Sequence, residues 1–371
     1  MIEVEDKYMA RCIALARGGL GYTSPNPMVG AVVVYNGKII GEGFHRKCGG
    51  PHAEVNAIAS VKHESMLKDS TLYVSLEPCS HYGKTPPCAE LIIKKQIPRV
   101  VVGCLDPFPE VSGRGVRMLR DAGVEVVTGV LEKEAYELNL PFMMQQTRKR
   151  PYILLKWAQS SDGYMDIIRK DSSVPPVVLS SQETLRMVHK LRSEMDAIMV
   201  GTNTALLDNP SLTVRYWAGK SPVRIVLDRN LLLPSHYHLL DGSVLTYVLT
   251  EREMENRKNI EYIRMDFSRD ILPQIMDFLC KHKINSLMVE GGSYLLRQFI
   301  NHDLWDKIRV ETAPFCLNEG VAAPDRTWLQ KVAYSQIIGM ILQKHRDVLL
   351  RSTFIKYSQS CNVLTLKYYK Y

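Results

Sequence analysis

The sequence predicts an α/β protein of two domains. Its 371 residues exceed the usual size of a single domain. In both halves, short apolar runs rich in β-forming residues alternate with amphipathic stretches, a pattern that favours alternating strands and helices. A polar, charged run, QQTRKRPY, separates the two halves. We therefore expect one domain at 1–147 and a second at 148–371.

The first half begins with an amphipathic helix at 6–15, which the pair Gly18-Gly19 ends. Asn36-Gly37 then predicts a two-residue turn between the arms of a β-hairpin. The following elements are expected, in order, to be a helix at 52–61, a strand at 71–76, a helix after Pro86-Pro87, a strand at 99–106, a helix ending near Ala122-Gly123, a strand at 124–130 and a helix at 132–144. This alternation predicts a sheet with helices packed against it.

The second half alternates in the same way. Apolar strands are expected at 152–157, 197–201, 223–228, 244–250, 286–292 and 307–315. The C-terminal stretch 356–371 alternates polar and apolar residues, which predicts an edge strand. No G-x-G-x-x-G follows any of these strands, which argues against a Rossmann dinucleotide-binding domain.

Charge narrows the class of ligand. Residues 1–147 carry 16 Lys+Arg and 16 Asp+Glu, whereas the rest of the chain carries 31 and 23, which accounts for the whole net charge of +8. The basic residues are scattered singly apart from the run RKR at 148–150. This distribution favours small anionic ligands over nucleic acid as the partner.

The compartment is inferred from the N-terminus and from the cysteines. The acidic start, MIEVEDKYMARC, lacks the basic and apolar regions of a secretory signal, and no apolar run is long enough to span a bilayer. Eight cysteines without a secretion signal indicate reduced thiols or metal ligands rather than disulfides. We expect a cytoplasmic protein that does not associate with membranes.

The strongest chemical signal combines HAE at 52–54 with EPC at 77–79 and a second cysteine, Cys88. H-x-E followed by P-C and a further cysteine is the signature of zinc deaminases. His52, Cys79 and Cys88 offer one imidazole and two thiolates, which leaves the fourth position of a tetrahedral zinc open for water. Zinc makes that water a nucleophile at neutral pH. Glu54, which is not a ligand, is expected to be the catalytic proton carrier.

Each of these residues also has an ordinary structural interpretation. A histidine at a helix start is usually a cap or a surface residue, and two cysteines in an α/β protein are more often buried than metal-bound. The order of the three motifs, at strand and helix ends, favours zinc. Cys12, Cys48 and Cys104 lack such neighbours. Cys48 lies near the motif, however, and as a fourth ligand it would make the zinc site purely structural.

Eight residues separate Cys79 from Cys88, whereas nucleic-acid and free-nucleoside deaminases typically have P-C-x-x-C. Together with TSPNPMVGAVVV, GEGFHRKCGGPHAE, SLEPCSHYGKTPPCAE and GCLDPFPEVSGRG, this spacing resembles the bifunctional pyrimidine deaminase/reductase family of riboflavin biosynthesis, the RibD type. The resemblance implies a cytidine-deaminase-like, three-layer α/β/α domain at 1–147. It also implies substrate contacts from Asn26, His45, Lys84 and Asp106. Phe108 departs from the asparagine that the family usually has.

The second half resembles the dihydrofolate-reductase-like α/β domain of the same family. The motifs are LLKWAQSSDG, HKLRSEMDAIMVGTNTALLDNPSLTVR, PVRIVLD and INSLMVEGGSYLLRQF. The resemblance implies NADPH as cofactor, held by Ala158, Thr204, Asp208, Gly291, Gly292, Ser293, Tyr294, Leu295 and Leu296. It implies substrate contacts from Arg192, Leu212, Arg215 and Glu290. Glycines before a helix let backbone N–H groups approach a phosphate, and arginine binds phosphate through paired hydrogen bonds.

Departures from the family are larger in this half. Ser160-Ser161-Asp162-Gly163 replaces the usual S-L-D-G. The segment that follows, YMDIIRKDSSVPPVVLS, is longer than the common form and has Val177 where a tryptophan beside the cofactor is expected.

The resemblance implies two consecutive steps on a small phosphorylated pyrimidine. Zinc-dependent hydrolytic deamination of 2,5-diamino-6-ribosylamino-4(3H)-pyrimidinone 5′-phosphate comes first, and NADPH-dependent reduction of the ribosyl chain to ribityl follows. The resemblance also implies a homodimer. Two alternatives stay open: a deaminase whose reductase half has lost its activity, and a nucleic-acid deaminase with a basic accessory domain.

Overall fold

The structure, a computed structural model, describes residues 5–82, 86–107 and 112–325, and the backbone of 364–369. The chain forms two compact units: residues 1–151 with Leu279–Asn285, and Tyr152–Phe278 with Ser286–Tyr371. The first half of the polar run that suggested a boundary is helical, because the last helix of the first unit continues to Arg148. Among the described helices, none is both long and apolar enough to cross a membrane.

The first unit is built around a five-stranded sheet. Its strands are β1 (Gly30–Tyr35), β2 (Lys38–Phe44), β3 (Thr71–Leu76), β4 (Arg99–Cys104) and β5 (Glu125–Thr128), in the order β2-β1-β3-β4-β5. Its helices are α1 (Asp6–Ala16), α2 (Ala53–Ala59), α3 (Cys88–Lys94), α4 (Arg114–Asp121), α5 (Glu132–Leu138) and α6 (Leu140–Arg148). β1 is antiparallel to both neighbours, whereas β3, β4 and β5 are parallel.

Two apolar cores, one on each face of this sheet, produce three layers. Successive side chains of a strand point to opposite faces, so Val32 and Val33 belong to different cores. The core around Val33 includes buried residues of α2, α3 and α4. The core around Val32 includes buried residues of α1 and α5. The predicted three-layer α/β/α architecture is confirmed.

The predicted hairpin turn is confirmed, and α2 packs against its returning strand, β2. Asn36 and Gly37 both have positive φ, 48° and 72°, as a type I′ turn requires. In the returning strand, a Cβ at Gly43 would lie 2.3 Å from the backbone nitrogen of Ala57. Only glycine lets α2 pack this closely on β2. The same Cβ would lie 2.7 Å from the carbonyl oxygen of Ala53, the first residue of α2, so the close packing extends to the end of the helix that follows His52.

The helix predicted at 132–144 is instead two helices, α5 and α6. Asn139 lies between them with φ −111° and ψ 22°, outside helical geometry. Pro141 causes the break, because it lacks an N–H group and its ring would clash with the preceding turn of a continuous helix. The Asn139 side chain accepts a hydrogen bond from Met28 N–H at 2.8 Å and donates one to Met28 O at 2.9 Å. These bonds anchor the break to the start of β1.

The second unit contains an eight-stranded sheet and a two-stranded ribbon. Its strands are β6 (Tyr152–Gln159), β7 (Tyr164–Asp166), β8 (Ala197–Val200), β9 (Val223–Leu227), β10 (Thr246–Thr250), β11 (Ile260–Arg264), β12 (Ser286–Val289), β13 (Lys307–Thr312), β14 (Val321–Ala322) and β15 (Leu364–Tyr369). Its helices are α7 (Gln182–Glu194), α8 (Thr202–Asp208), α9 (Ile271–Lys281), whose last residues belong to the first unit, and α10 (Ser293–Asn301).

The large sheet has the order β11-β10-β9-β8-β12-β6-β13-β15, and β7 pairs with β14. All neighbouring strands from β11 to β13 are parallel, and β15 is antiparallel to β13. The six apolar strands expected from the sequence are confirmed, whereas β7, β11 and β14 were not predicted. The C-terminal edge strand expected within 356–371 is present at 364–369, and the rest of that stretch lies outside the described residues. The α/β class is confirmed for both units.

Candidate active sites

The three expected zinc ligands meet at the ends of three elements. His52 immediately precedes α2, Cys79 follows β3, and Cys88 is the first residue of α3. His52 Nδ1 lies 3.3 Å from Cys88 Sγ and 3.6 Å from Cys79 Sγ, and the three ligand atoms all lie within 4.8 Å of one another. Nitrogen and sulfur ligands of one tetrahedral zinc lie about 3.5 Å apart, given Zn–N and Zn–S bonds of about 2.0 and 2.3 Å. The donor set therefore fits a single zinc ion.

The other cysteines of this unit have different surroundings. Among the residues that the structure describes, the cluster has three members, and Cys48, which is exposed, is not one of them. A closed structural site completed by Cys48 is therefore not formed by the described residues. Cys12 and Cys104 are buried, and burial raises the pKa of both thiols, that of Cys104 to about 12. Both belong to the apolar core around Val32.

The two ligand thiols act on each other's pKa in opposite directions. The side chain of Cys88 hydrogen-bonds to Cys79, which holds the pKa of Cys79 down to about 4, and the Cys88 N–H donates to the same sulfur at 3.3 Å. The same bond raises the pKa of Cys88. Because metal ligands must be deprotonated, a zinc ion held by this cluster would require Cys88 to lose its proton.

Glu54 lies in the first turn of α2, two residues after His52, and is 3% exposed. Burial raises the pKa of its carboxyl to about 7, and the negative charge of Cys79 acts in the same direction. The carboxyl also interacts with Cys88. The fold thus places a buried carboxyl group beside the ligand cluster, at a position where it can exchange protons with a molecule bound there.

Asn26 and His45 lie together next to this cluster. The Nδ1 atom of His45 is 3.0 Å from the carbonyl oxygen of Pro51. A carbonyl can only accept, so Nδ1 carries the hydrogen, and Nε2 accepts from the Asn26 amide at 3.3 Å. The His45 ring stands edge-on to His52, with centroids 5.5 Å apart. Two of the four expected substrate contacts are thereby brought to the zinc ligands.

The other two expected contacts are less closely defined. Asp106 follows β4, and its backbone N–H donates to Glu77 Oε2 at 3.1 Å. Lys84 and the divergent Phe108 lie outside the described residues.

Glu77 is a site residue that the sequence reasoning missed. Glu77 is 6% exposed, and its carboxylate accepts four backbone hydrogen bonds from residues that the structure describes. The donors are the N–H groups of Asp106, Gly113, Gly115 and Val116, at 2.9 to 3.2 Å. Glu77 thus ties the end of β3, two residues before Cys79, to the start of α4. The signal was present as the acidic residue of the E-P-C motif.

In the second unit, several expected cofactor contacts lie at the carboxyl ends of parallel strands, the edge at which open α/β sheets bind ligands. The Gly292 N–H donates to Thr204 Oγ1 at 2.8 Å, which joins the glycine turn to α8. A Cβ on Gly291 would lie 2.8 Å from the backbone nitrogen of Gly201. A side chain at Gly291 would therefore displace the turn before α10, the turn at which the phosphate of the cofactor is expected.

The side chains that follow this turn differ in accessibility. The Ser293 hydroxyl donates to the carbonyl of Ala322 at 2.5 Å. Leu295 and Leu296 are buried, whereas Tyr294 is 78% exposed.

The expected substrate contacts of this unit form a second group. Arg192 Nη2 donates to Glu290 Oε2 at 2.6 Å, and Arg192 Nη1 donates to the Thr213 carbonyl at 3.3 Å. Burial alone would raise the pKa of Glu290, but Arg192 and then Lys156 lower it below its usual range. Leu212 is buried, with a φ of 52°. Arg215 is exposed, so its guanidinium is the more accessible of the two expected for phosphate.

Lys156 was missed in this group. It pairs with the fully buried Glu311 at 3.4 Å and acts electrostatically on Glu290. A lysine within the apolar strand YILLKWA was a visible signal of a buried cation.

The divergent segment after β7 folds against α8. Arg169 is 3% exposed and forms ion pairs with Asp166 and Asp208. It also donates to the carbonyls of Val174 at 3.3 Å and Leu207 at 3.1 Å. Asp208, expected to contact the cofactor, is therefore held by a residue that sequence reasoning did not single out.

Comparison with known proteins matches both halves. Residues 2–104 match the family model described as the cytidine and deoxycytidylate deaminase zinc-binding region, and residues 151–343 match the RibD C-terminal domain. The riboflavin biosynthesis protein RibD of Aquifex aeolicus is 43% identical over 87% of this chain and 90% of its own. The RibD protein of Escherichia coli is 36% identical over 84% of this chain and 88% of its own.

Solved structures agree over nearly the full length. A diaminohydroxyphosphoribosylaminopyrimidine deaminase/5-amino-6-(5-phosphoribosylamino)uracil reductase from Thermotoga maritima superposes with a TM-score of 0.82 at 35% identity, covering 98% of this chain and 97% of that one. Acinetobacter baumannii RibD superposes with a TM-score of 0.79 at 30% identity, with the same coverage. Single relatives of similar length thus match both halves of this chain. The chain belongs to the RibD family of riboflavin biosynthesis proteins.

Proposed function

We propose that the first unit hydrolyses the 2-amino group of 2,5-diamino-6-ribosylamino-4(3H)-pyrimidinone 5′-phosphate and that the second unit reduces the ribosyl chain of the product with NADPH. The Thermotoga maritima relative is named for a deaminase and a reductase reaction. The observation that carries the proposal is the His52, Cys79 and Cys88 cluster with the buried Glu54 beside it. The division of the reactions at residues 1–147 and 148–371 belongs to the same proposal.

In the deaminase unit, His52, Cys79 and Cys88 hold zinc. When bound there, zinc lowers the pKa of a water molecule so that it becomes a nucleophile at neutral pH. Glu54 takes up a proton at its carboxylate and delivers it to the leaving amino group, which departs as ammonia. Asn26 and His45, which already form one hydrogen-bonded pair, orient the pyrimidine together with Lys84 and Asp106.

In the reductase unit, Ala158, Thr204, Asp208 and the turn at 291–296 hold NADPH, which supplies the hydride. The protein contributes orientation. Arg215 presents its exposed guanidinium to the 5′-phosphate, while Leu212 and the paired Arg192 and Glu290 face the rest of the substrate. The close packing of Gly291 and the folded segment fastened by Arg169 support an active reductase over a degenerate one.

The partner and compartment are part of the proposal. A small phosphorylated pyrimidine, rather than nucleic acid, fits the scattered basic residues and the long spacing between Cys79 and Cys88. We propose that the protein acts in the cytoplasm as a homodimer without contact to membranes.

Two variants test the division of labour between the units. Glu54→Gln should keep its zinc and slow ammonia release by about 10²- to 10⁴-fold, yet reduce the deaminated intermediate at the normal rate when that compound is supplied. Arg215→Ala should release ammonia normally and show a raised KM for the phosphorylated intermediate in NADPH oxidation. Near-normal ammonia release by Glu54→Gln, or slower deamination by Arg215→Ala, would refute the assignment.

A further inference from the structure

The segment 210–215, which ends in Arg215, has no helix or strand of its own. Side chains from elsewhere in the unit hold its backbone instead. The contacts are Arg192 to the Thr213 carbonyl at 3.3 Å, Ser221 Oγ to the Val214 N–H at 3.0 Å, His189 Nδ1 to the Arg215 N–H at 2.9 Å and Arg224 to the Ser211 carbonyl at 3.5 Å. Two of these four side chains come from α7, and they hold the end of the segment that carries Arg215.

Of these contacts, only that of His189 is made to the main chain of Arg215, whose guanidinium also donates to Thr213 Oγ1 at 3.2 Å. The His189 side chain is fully buried, and its ring stands edge-on to Tyr216 with centroids 4.8 Å apart. Because Nδ1 accepts from the Arg215 N–H, the ring hydrogen lies on Nε2. Nε2 is buried and has no hydrogen-bond partner within the described residues.

An unpaired buried donor lowers stability, so a residue needed only for packing would be better replaced by an apolar one. The hydrogen bond that Nδ1 accepts explains why this buried position holds a histidine rather than an apolar residue. Burial, and then the charges of Arg192 and Arg215, lower the pKa of His189 to about 4, while Glu290 acts in the opposite direction. The ring is therefore neutral at physiological pH and keeps the lone pair that binds the Arg215 N–H.

We propose that His189 is a positioning residue of the reductase site, which fixes the backbone of Arg215 so that its guanidinium is held ready for the 5′-phosphate of the substrate. This inference rests on the proposed function, in which Arg215 binds that phosphate. An arginine side chain is long and flexible, and paired hydrogen bonds to phosphate demand a defined orientation. Because the main chain at Arg215 is already fixed, less conformational entropy is lost when the phosphate binds.

The test compares two substitutions in the full-length, zinc-loaded enzyme. His189→Leu removes the acceptor. His189→Asn retains it, because the Asn Oδ1 atom is the same number of bonds from the backbone as the His Nδ1 atom. Reduction of the deaminated intermediate is followed by NADPH oxidation, with and without the 5′-phosphate, and NADPH binding is measured separately by fluorescence.

We expect His189→Leu to raise the KM for the phosphorylated intermediate about tenfold, with little change for the dephosphorylated compound. NADPH affinity and ammonia release should stay within about twofold of wild type, the scatter expected for groups that do not touch the changed residue. His189→Asn should recover most of the lost affinity. In an Arg215→Ala background, His189→Leu should add little, because the residue acts through Arg215.

Three results would overturn the inference: an unchanged KM in His189→Leu, equal effects on the two intermediates, or an Asn variant as impaired as the Leu variant. A purely structural role would instead reduce NADPH binding and thermal stability together with activity. Failure of the proposed function is distinguishable, because wild-type enzyme would then fail to reduce the intermediate at all.

Discussion

Cys79 and Cys88 belong to the cluster of possible zinc ligands, whereas Cys48 does not. Cys79→Ser or Cys88→Ser should lose bound zinc and ammonia release together, because a hydroxyl group is not deprotonated at neutral pH and is a poor zinc ligand. Zinc content by mass spectrometry of the purified variants checks this. Cys48→Ser is the matched control and should retain a full complement of zinc. Loss of zinc from the control would restore the structural-site alternative.

His189 also predicts how stability depends on pH. Its pKa is lowered from 6.5 to about 4 in the folded protein. Between these values the unfolded chain binds a proton that the folded chain does not, so stability is complete above pH 6.5 and falls as the pH drops towards 4. As the pH is lowered over this range, the thermal unfolding temperature (Tm) of the wild-type protein should therefore fall more steeply than that of His189→Asn. A constant difference between the two proteins from pH 7 to 4.5 would contradict the shifted pKa.

The chemical role of a single residue was predictable where the residue belongs to a known sequence motif. His52, Glu54, Cys79 and Cys88 were recognisable because metal binding requires fixed residue types in a fixed order. Glu77 and His189 act on backbone N–H groups 26 or more positions away in sequence. Nothing in a local pattern encodes such partners, since any residue except proline offers the donor.

The segment after β7 shows how an element can control a site residue at a distance. Arg169 joins this segment to the C-terminal end of α8 through two carboxylates and two carbonyls. Without its guanidinium, Asp166 and Asp208 would lie close together with no cation between them, beside the proposed site of a phosphate-bearing cofactor.

Arg169→Met should accordingly weaken NADPH binding about tenfold. This is a smaller free-energy change than the loss of stability that usually follows removal of one partner of a buried ion pair. Ammonia release should not change, because that reaction needs no NADPH. Fluorescence titration with NADPH measures the effect. Arg269→Met is the control: its guanidinium is 82% exposed and pairs with Asp266 at the surface, so its loss should leave affinity unchanged. Wild-type affinity in Arg169→Met would show that Asp208 does not depend on this pair.

At the same scale, strands and helices with strong periodicity were predictable, and breaks within them were not. The buried parallel strands read as continuous apolar runs and were placed within a few residues. The division between α5 and α6 was missed, although Pro141 was visible, because the apolar spacing continues through the break. β7 and β14 are too short for a periodic pattern and exist through their mutual pairing.

For the whole molecule, the absence of a Rossmann glycine motif fits a second unit that is α/β but whose sheet has a strand order different from that of a Rossmann domain. The order of its eight strands could not be read from the sequence, because it depends on contacts between segments far apart in the chain. The fold class followed from alternation alone, whereas the identity of the chemistry required the motifs.

The central claim is that one chain performs both steps. The most direct test incubates zinc-loaded protein with the diaminopyrimidine ribose phosphate and NADPH and measures the mass of the product. We predict a product that has exchanged its amino group for oxygen, with loss of ammonia, and gained two hydrogen atoms in the sugar chain. A product that is deaminated but not reduced, in the presence of excess NADPH, would contradict the account.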